Sequence, residues 1–453
     1  MNPIKKLIIL LPIVIFSCKQ PENNSSSPNQ RYLVEIDSVL NNDILSKWYP
    51  SCVDSLHGGF LPTWNYQWKA LPPYDKMIVA QTRHAWTPAY VGLHYQDNDT
   101  LKFIANHGFQ NLQNTMWDEK HGGFFDLVDR KGDLVDTLMA GRKTAYGNSF
   151  GIYAAATYYE YSKNKAALQL AMHAFNWLEE NSHDKTNGGY FQHLRRNGEP
   201  IKSDVGFEPK NGSLGLKDYN SSIHLLEAFS QLYKVSHDEL VRQRLAEMFY
   251  IVRDTMINRD GYLHLYFQPN WQLVTFKDSL PAYRRQHYHL DHVTFGHDVE
   301  TAFLLMEAAH ELGMHNDSTT LHLGKKMVDH ALAQGWDKDN GGFYYEGIYI
   351  NDQMEIVTPG KSWWVTAEGL NALLMMHQYF PEEEKYWQAF EKLWQYTLDY
   401  QLDTVNGGWY AWGLDKVPQA DTLLKGQHWK ASYHSARSMV NCLKILHGRP
   451  LFD

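Results

Sequence analysis

Residues 336–347 read "WDKDNGGFYYEG": Asp337, two spacers, Asn340-Gly341-Gly342 and then aromatics. Asn-Gly and Gly-Gly supply the positive φ values that tight hairpin turns require. The same unit recurs as "DSLHGGF" ending at Phe60, "WDEKHGGFFD" at 117–126, "DKTNGGYF" at 184–191 and "LDTVNGGWYAWG" at 402–413. A weaker copy, "NRDGYLHLYF", lies at 258–267. Six copies of one turn mark an internal repeat.

Each turn is preceded by a stretch with apolar residues at helical spacing, near 32–53, 101–118, 165–182, 239–257, 318–336 and 384–402. Each is followed by a second, more apolar stretch, near 83–95, 147–162, 220–234, 298–312, 364–379 and 434–447. Segments such as "GIYAAATYY" and "TAFLLMEAA" are apolar around most of a helical surface, which marks a buried helix. The order is amphipathic helix, Gly-Gly turn, buried helix, six times over. Closure gives an all-α (α/α)6 barrel with the buried helices inside; an open solenoid is the competing arrangement, but no polar capping repeat is visible. All six turns then share one face with six inner-helix N-termini, whose free N–H groups favour anionic or hydroxyl-bearing partners.

The chain has 453 residues, 43% of them hydrophobic and 21% charged, enough for a large core. Its net charge of −9 and the lack of a Lys/Arg run argue against a nucleic-acid partner. Aromatics reach 14%, which suits both core packing and a sugar cleft with flat rings. Residues 1–17 carry Lys5 and Lys6 and a short apolar run, and read as a signal peptide. The Ile-Phe-Ser-Cys ending resembles a lipoprotein cleavage site with Cys18 lipidated; an ordinary signal is the alternative. Residues 18–31 read as a flexible tether, and 32–453 as the barrel. This places the protein in the bacterial cell envelope, held to the membrane by its lipid. Cys52 and Cys442 are expected as buried thiols.

The inner-helix starts carry chemistry: Arg83 in "QTRHAW", Tyr146 and Asn148 in "KTAYGNSF", Asn220 and His224 in "DYNSSIH", His297 and Glu300 in "FGHDVE", Trp364 and Glu368 in "KSWWVTAE", Trp429 and His434 in "HWKASYHSAR". Asn220/His224 and Trp364/Glu368 are i,i+4 pairs, each sharing one helix face. Singly, an Asn at a helix start is a cap as often as a ligand, a lone His is usually structural, and tryptophans are usually core. Only the coincidence at all six mouths points to one central cleft. His287, His289 and His292 in "HYHLDHVTFGH" have loosely ligand-like spacing but form no closed metal set.

These stretches, with "AYGNSFGIYA", "NSSIHLLEAF", "FGHDVETAFLLMEA" and "WKASYHSAR", resemble the N-acylglucosamine 2-epimerase superfamily, especially its cellobiose and mannobiose 2-epimerases. The resemblance covers nearly the whole chain from residue 32 and implies the (α/α)6 barrel. It implies that Arg83 stabilises the enediolate oxygen, that His297 and His434 are the catalytic histidines, and that Glu300 supports His297. Tyr146, Asn220, His224, Trp364, Glu368 and Trp429 fall at sugar-contacting positions. No metal, cofactor or obligate protein partner is implied. Thr366 stands where glutamine is common, Ser435 where asparagine is common, and "NSSIH" departs from the usual Asn-Thr-x-x-His; these bear on substrate preference.

Epimerising C2 of a reducing sugar requires ring opening, removal of the C2 proton and its return to the opposite face. Two imidazoles near neutrality suit that task, and a guanidinium can hold the developing oxyanion. The leading expectation is a 2-epimerase interconverting the reducing-end glucose and mannose of a β-linked disaccharide or oligosaccharide. The alternatives are an aldose–ketose isomerase or N-acylglucosamine 2-epimerase of the same superfamily, an (α/α)6 glycoside hydrolase using Glu300 and Glu368, and a non-catalytic glycan-binding lipoprotein.

Overall fold

The computed structural model describes residues 28–135, 140–202, 214–315 and 317–452. Cys18 and the expected signal peptide lie outside the described residues. Among the described residues, twelve principal helices alternate between two rings. The inner ring comprises α2 (Ile78–His94), α4 (Ala145–Ser162), α6 (Tyr219–Ser236), α8 (Phe295–Glu311), α10 (Trp363–Tyr379) and α12 (Tyr433–Leu446). The outer ring comprises α1 (Pro28–Ser38), α3 (Asp99–Asn111), α5 (Lys165–Asn181), α7 (Glu239–Ile251), α9 (Ser318–Gln334) and α11 (Glu384–Tyr396). Helix α1 begins inside the stretch expected as the end of the tether.

Each inner helix packs against the next, and α12 packs back on α2, so the ring is closed and the open solenoid is set aside. Each later outer helix packs on the inner helix just before it in sequence, and α1 packs on α12. The tight hairpin is therefore inner-to-outer, with links as short as Lys163–Asn164 between α4 and α5. The Gly-Gly turn instead joins an outer helix to its inner successor through a longer loop. Inner helices are buried on almost every side; in α10 every residue from Trp363 to Met376 is buried. Cys52 and Cys442 are buried and free, as expected. Among the described residues, no helix is long and apolar enough to cross a membrane.

The loop face contains short strands that the helical pattern does not announce. Lys76–Met77 pairs with Leu127–Val128, Lys143–Thr144 with His193–Leu194, and Lys217–Asp218 with Tyr266–Phe267, all antiparallel. Val293–Thr294 joins a hairpin of Glu346–Ile350 and Gln353–Thr358. Each ladder ties the entrance of one inner helix to the turn of the next repeat.

The glycine pairs do adopt positive φ; Gly341 and Gly342 lie at 81° and 86°. Their aspartate organises the turn: Asp337 Oδ1 accepts the N–H groups of Asp339 and Asn340, at 3.0 and 3.3 Å. A buried lysine two residues before the inner helix then reaches into the turn. Lys143 Nζ lies 3.0 Å from Asp118, Lys217 Nζ 2.9 Å from Asp184, and Lys361 Nζ 2.7 Å from Asp337. Lys143 Nζ also donates to the Arg196 carbonyl of the following repeat. Lys425 plays the same part against Asp403 in the sixth turn. In the weak fourth copy, Asn258 replaces the aspartate and Val293 stands at the lysine position. The two are lost together because an ammonium buried without its carboxylate is costly.

Candidate active site

The six inner-helix N-termini surround a cavity of about 340 Å³. Arg83, Tyr146, Asn220, His224, His297, Glu300, Trp364, Trp429 and His434 line it, so nine of the eleven residues singled out in the helix mouths converge. Trp429 lies in the loop before α12 rather than on the helix, and is 47% exposed at the rim. Of the other two, Glu368 lies beneath His434, and Asn148 is fully buried with its Oδ1 accepting from the Phe124 N–H at 2.8 Å.

Arg83 is held from two sides. Its Nη1 donates to the Trp429 carbonyl at 2.5 Å and its Nη2 to the Tyr146 hydroxyl at 3.2 Å. The guanidinium lies over the rings of Phe150 and Tyr433. Its buried Nε has no hydrogen-bond partner among the described residues. A buried cationic donor left unpaired is suited to an incoming oxyanion.

The two histidines come from helices on either side of α10 and flank Trp364, with ring centroids 4.5 Å (His297) and 5.8 Å (His434) from its ring. His434 Nδ1 donates to Glu368 Oε1 at 2.7 Å, and that oxygen also accepts from Arg437 Nη2 at 2.7 Å. An oxygen already accepting from Arg437 fixes the proton on Nδ1, leaving Nε2 unprotonated on a ring that faces the cavity. His297 Nδ1 pairs with the Thr294 hydroxyl at 3.2 Å. Burial, reinforced by His224, pushes His297 well below the usual imidazole range. Burial and the Arg83 charge do the same for His434.

Two roles inferred from sequence change. Glu300 does not support His297: its Oε1 accepts from Arg437 Nη2 at 2.6 Å and lies 3.7 Å from His434 Nδ1. Glu368 is not a sugar contact: it is 1% exposed and is engaged by His434 and Arg437. The reason in both cases is Arg437, which sequence reading missed. Buried on α12 one turn beyond His434, it also donates to Glu227 and, at 2.6 Å, to the Tyr433 hydroxyl. Its only signal was an arginine in a helix that is otherwise buried. One guanidinium cannot neutralise three carboxylates. Burial and the neighbouring Glu368 push Glu300 up to about 7, burial raises Glu368, and the Arg437 charge overcomes burial to keep Glu227 low.

Among the described residues, Glu300, Glu368 and His434 form the one group with metal-ligand spacing. Arg437 Nη2 already lies within 2.7 Å of both carboxylates, so the cation position is taken. The same contact weighs against a hydrolytic pair: glycoside hydrolysis needs carboxyls about 5–9.5 Å apart across the scissile bond, whereas these converge on one nitrogen.

The aromatics of the repeated turn also enter the site. Tyr345 follows the glycine pair of the fifth turn and Trp412 that of the sixth, and their rings meet at 5.1 Å beside Trp364. Both belong to the run of aromatics after Gly-Gly, a signal the sequence carried. Thr366 and Ser435, the departures tied to substrate preference, do not line the cavity. Thr366 donates to Gln401 at 3.3 Å and Ser435 to the Ser432 carbonyl at 3.2 Å, both within the packed ring.

The arrangement suits moving protons on a polyhydroxylated substrate beside a fixed cation. The N-acylglucosamine 2-epimerase (GlcNAc 2-epimerase) family model matches residues 59–438, and the chain belongs to that family. It is 26% identical over 415 residues to a cellobiose 2-epimerase of Bacteroides fragilis, covering 90% of this chain and 98% of that one. It is 27% identical over 314 residues to a D-mannose isomerase of Thermobifida fusca, covering 68% and 70%. The solved structure of a cellobiose 2-epimerase from Spirochaeta thermophila superposes with a TM-score of 0.79 at 25% identity, covering 94% of this chain and 99% of that one.

Proposed function

We propose that this protein is a sugar 2-epimerase that interconverts glucose and mannose at the reducing end of a β-linked disaccharide or small oligosaccharide. The observation that carries the reading is the pair of histidines flanking Trp364 in one cavity with Arg83. In the open-chain sugar the carbonyl acidifies the C2 hydrogen. His434 Nε2 takes that proton, and Arg83 holds the enediolate oxygen. His297, its Nδ1 beside the Thr294 hydroxyl at 3.2 Å, enters the step as the imidazolium, protonates C2 from the other face and ends neutral, so one proton is taken and one is given. The reverse reaction exchanges the two roles. The aromatic wall of Trp364, Tyr345 and Trp412 offers flat surfaces to pyranose rings.

The likeness to a D-mannose isomerase supports a second reading, in which the proton returns to C1 and a ketose forms. One experiment separates them: incubation with cellobiose, mannobiose and mannose in deuterated water, followed by NMR. The 2-epimerase reading expects the epimeric aldose with deuterium at C2. A ketose product supports the isomerase, and an epimer without deuterium refutes proton exchange with solvent.

The barrel is further proposed to be anchored in the cell envelope through a lipid on Cys18. Membrane fractionation of the wild type and Cys18→Ala tests this; equal release of both into the soluble fraction refutes it.

A further inference from the structure

The loop that enters α12 is built differently from its counterparts. In the second, third and fifth repeats the clamp lysine stands two residues before the inner helix: Lys143 before Ala145, Lys217 before Tyr219 and Lys361 before Trp363. In the sixth, Lys425 holds Asp403 at 2.7 Å, but α12 begins only at Tyr433. Residues 426–432 therefore form a loop between clamp and helix, and Gln427 and Trp429 of that loop line the cavity. The Trp429 carbonyl is also the acceptor for Arg83 Nη1, at 2.5 Å. The other neighbours of the guanidinium do not replace it: Tyr146 binds Nη2, and Phe150 and Tyr433 offer ring faces. Where Arg83 sits thus depends on where this loop backbone lies.

A second lysine fixes that backbone. Lys430, next to Trp429, turns inward and is 3% exposed. Its Nζ donates to the Trp409 carbonyl at 2.9 Å and to the Lys425 carbonyl at 2.6 Å. Trp409 directly follows Gly407-Gly408 of the sixth turn, so one amine ties the loop to that turn. The loop is closed by its own backbone as well: the Lys430 N–H donates to the Gln427 carbonyl at 2.9 Å, and the Gln427 N–H to the Lys430 carbonyl at 3.2 Å. The Trp429 N–H donates to Gln427 Oε1 at 2.6 Å. The Lys430 amine lies over the Trp363 ring at 5.5 Å and, among the described residues, meets no carboxylate. Burial, reinforced by the Lys425 charge, pushes it well below the usual lysine range. Burying an amine without a countercharge is costly, and packing alone would be served by an apolar chain of the same length. What the amine adds is two directed N–H bonds.

We propose that Lys430 is a positioning residue for Arg83: by pinning residues 425–430 to the sixth turn it sets the Trp429 carbonyl, and through it the guanidinium that holds the enediolate oxygen. The inference rests on the 2-epimerase reading. Charge on that oxygen develops only as the C2 proton leaves, so a displaced guanidinium weakens the transition state more than the bound sugar. The loss belongs in kcat rather than in KM.

The test is a double-mutant cycle read by the rate of C2 labelling of cellobiose in deuterated water. Lys430→Met keeps the side-chain length and removes both donors. It should lower kcat by between about tenfold and about 10²-fold, the cost of misplacing an oriented group by about 1 Å, and leave KM within about threefold. Arg83→Gln alone should cost about 10²-fold or more. Adding Lys430→Met to Arg83→Gln should then cost less than about twofold further, because the two act through one interaction. Equal losses in both backgrounds would mean that Lys430 supports the fold in general, and overturn the inference. A raised KM at the wild-type kcat also overturns it, placing the effect at the Trp429 ring. If Lys430→Met does not fold, Lys430→Gln takes its place in the cycle. Its amide keeps N–H donors on a chain one bond too short for both carbonyls, so kcat should fall at least about threefold; a folded Lys430→Gln with the wild-type kcat overturns the inference. Absence of C2 labelling in the wild type with cellobiose, mannobiose and mannose refutes the 2-epimerase reading instead.

Discussion

Replacing Glu368 by Gln removes a charge while leaving an acceptor in place. The amide oxygen can occupy the Oε1 position and still accept from His434 Nδ1 and Arg437 Nη2, each 2.7 Å away. The His434 tautomer therefore survives, and what is lost is the negative charge that stabilises the imidazolium formed when His434 takes the C2 proton. Exchanging a charge-assisted hydrogen bond for a neutral one costs about 1–2 kcal/mol. The full attraction between unit charges about 4 Å apart, at an effective dielectric of 20, is about 4 kcal/mol. The expected loss lies between about 2 and about 4 kcal/mol, or about 30- to 900-fold in kcat. KM should change little, because Glu368 lies beneath His434 and does not line the cavity. Initial rates on cellobiose, with C2 deuterium incorporation in parallel, give both constants. A kcat within threefold of wild type with a tenfold higher KM would show Glu368 to be a sugar contact and refute this role.

The glycine pair of the first turn separates backbone strain from crowding. Gly58 has φ of 72° with open space around a Cβ, so Gly58→Ala should cost about 1–2 kcal/mol. At Gly59 the Cβ would lie 2.5 Å from Gln81 Oε1, so Gly59→Ala should cost a further about 1–3 kcal/mol. Equal urea midpoints for the two variants would contradict this. The lysine–aspartate clamps predict acid sensitivity. Burial alone would raise Asp118, but hydrogen bonds from Arg196 and Lys143 outweigh it and hold the carboxyl at about 2. Burial would likewise raise Asp403, which Lys425 and backbone N–H groups hold at about 2. Both lie below their unfolded value of 3.8, so their stabilisation is present above that pH and is lost as pH falls through about 2. Urea midpoints of the wild type should drop over this window more than those of Lys143→Met; parallel curves would refute the clamp.

Six turns and two helical periodicities were enough to read the closed barrel and nine of the residues that meet in its cavity. A repeat is local information: each copy states its own helix, turn and helix, and closure follows once six copies must bury their inner faces. Position at a helix mouth is also local, so Arg83, His297 and His434 could be placed at one end without knowing any distance. The lysines of three clamps stand two residues before the inner helix in "RKTAY", "LKDYN" and "GKSWW", a local pattern that went unread. What no local pattern carried was the pairing across the barrel axis. Arg437 meets Glu227, Glu300 and Glu368 from positions 210, 137 and 69 residues away. Which carboxylate orients which histidine depends on where those side chains end up after closure. Glu300 stands three residues from His297 on one helix, yet its carboxylate turns to the guanidinium inside the ring, because a buried charge settles where its countercharge lies.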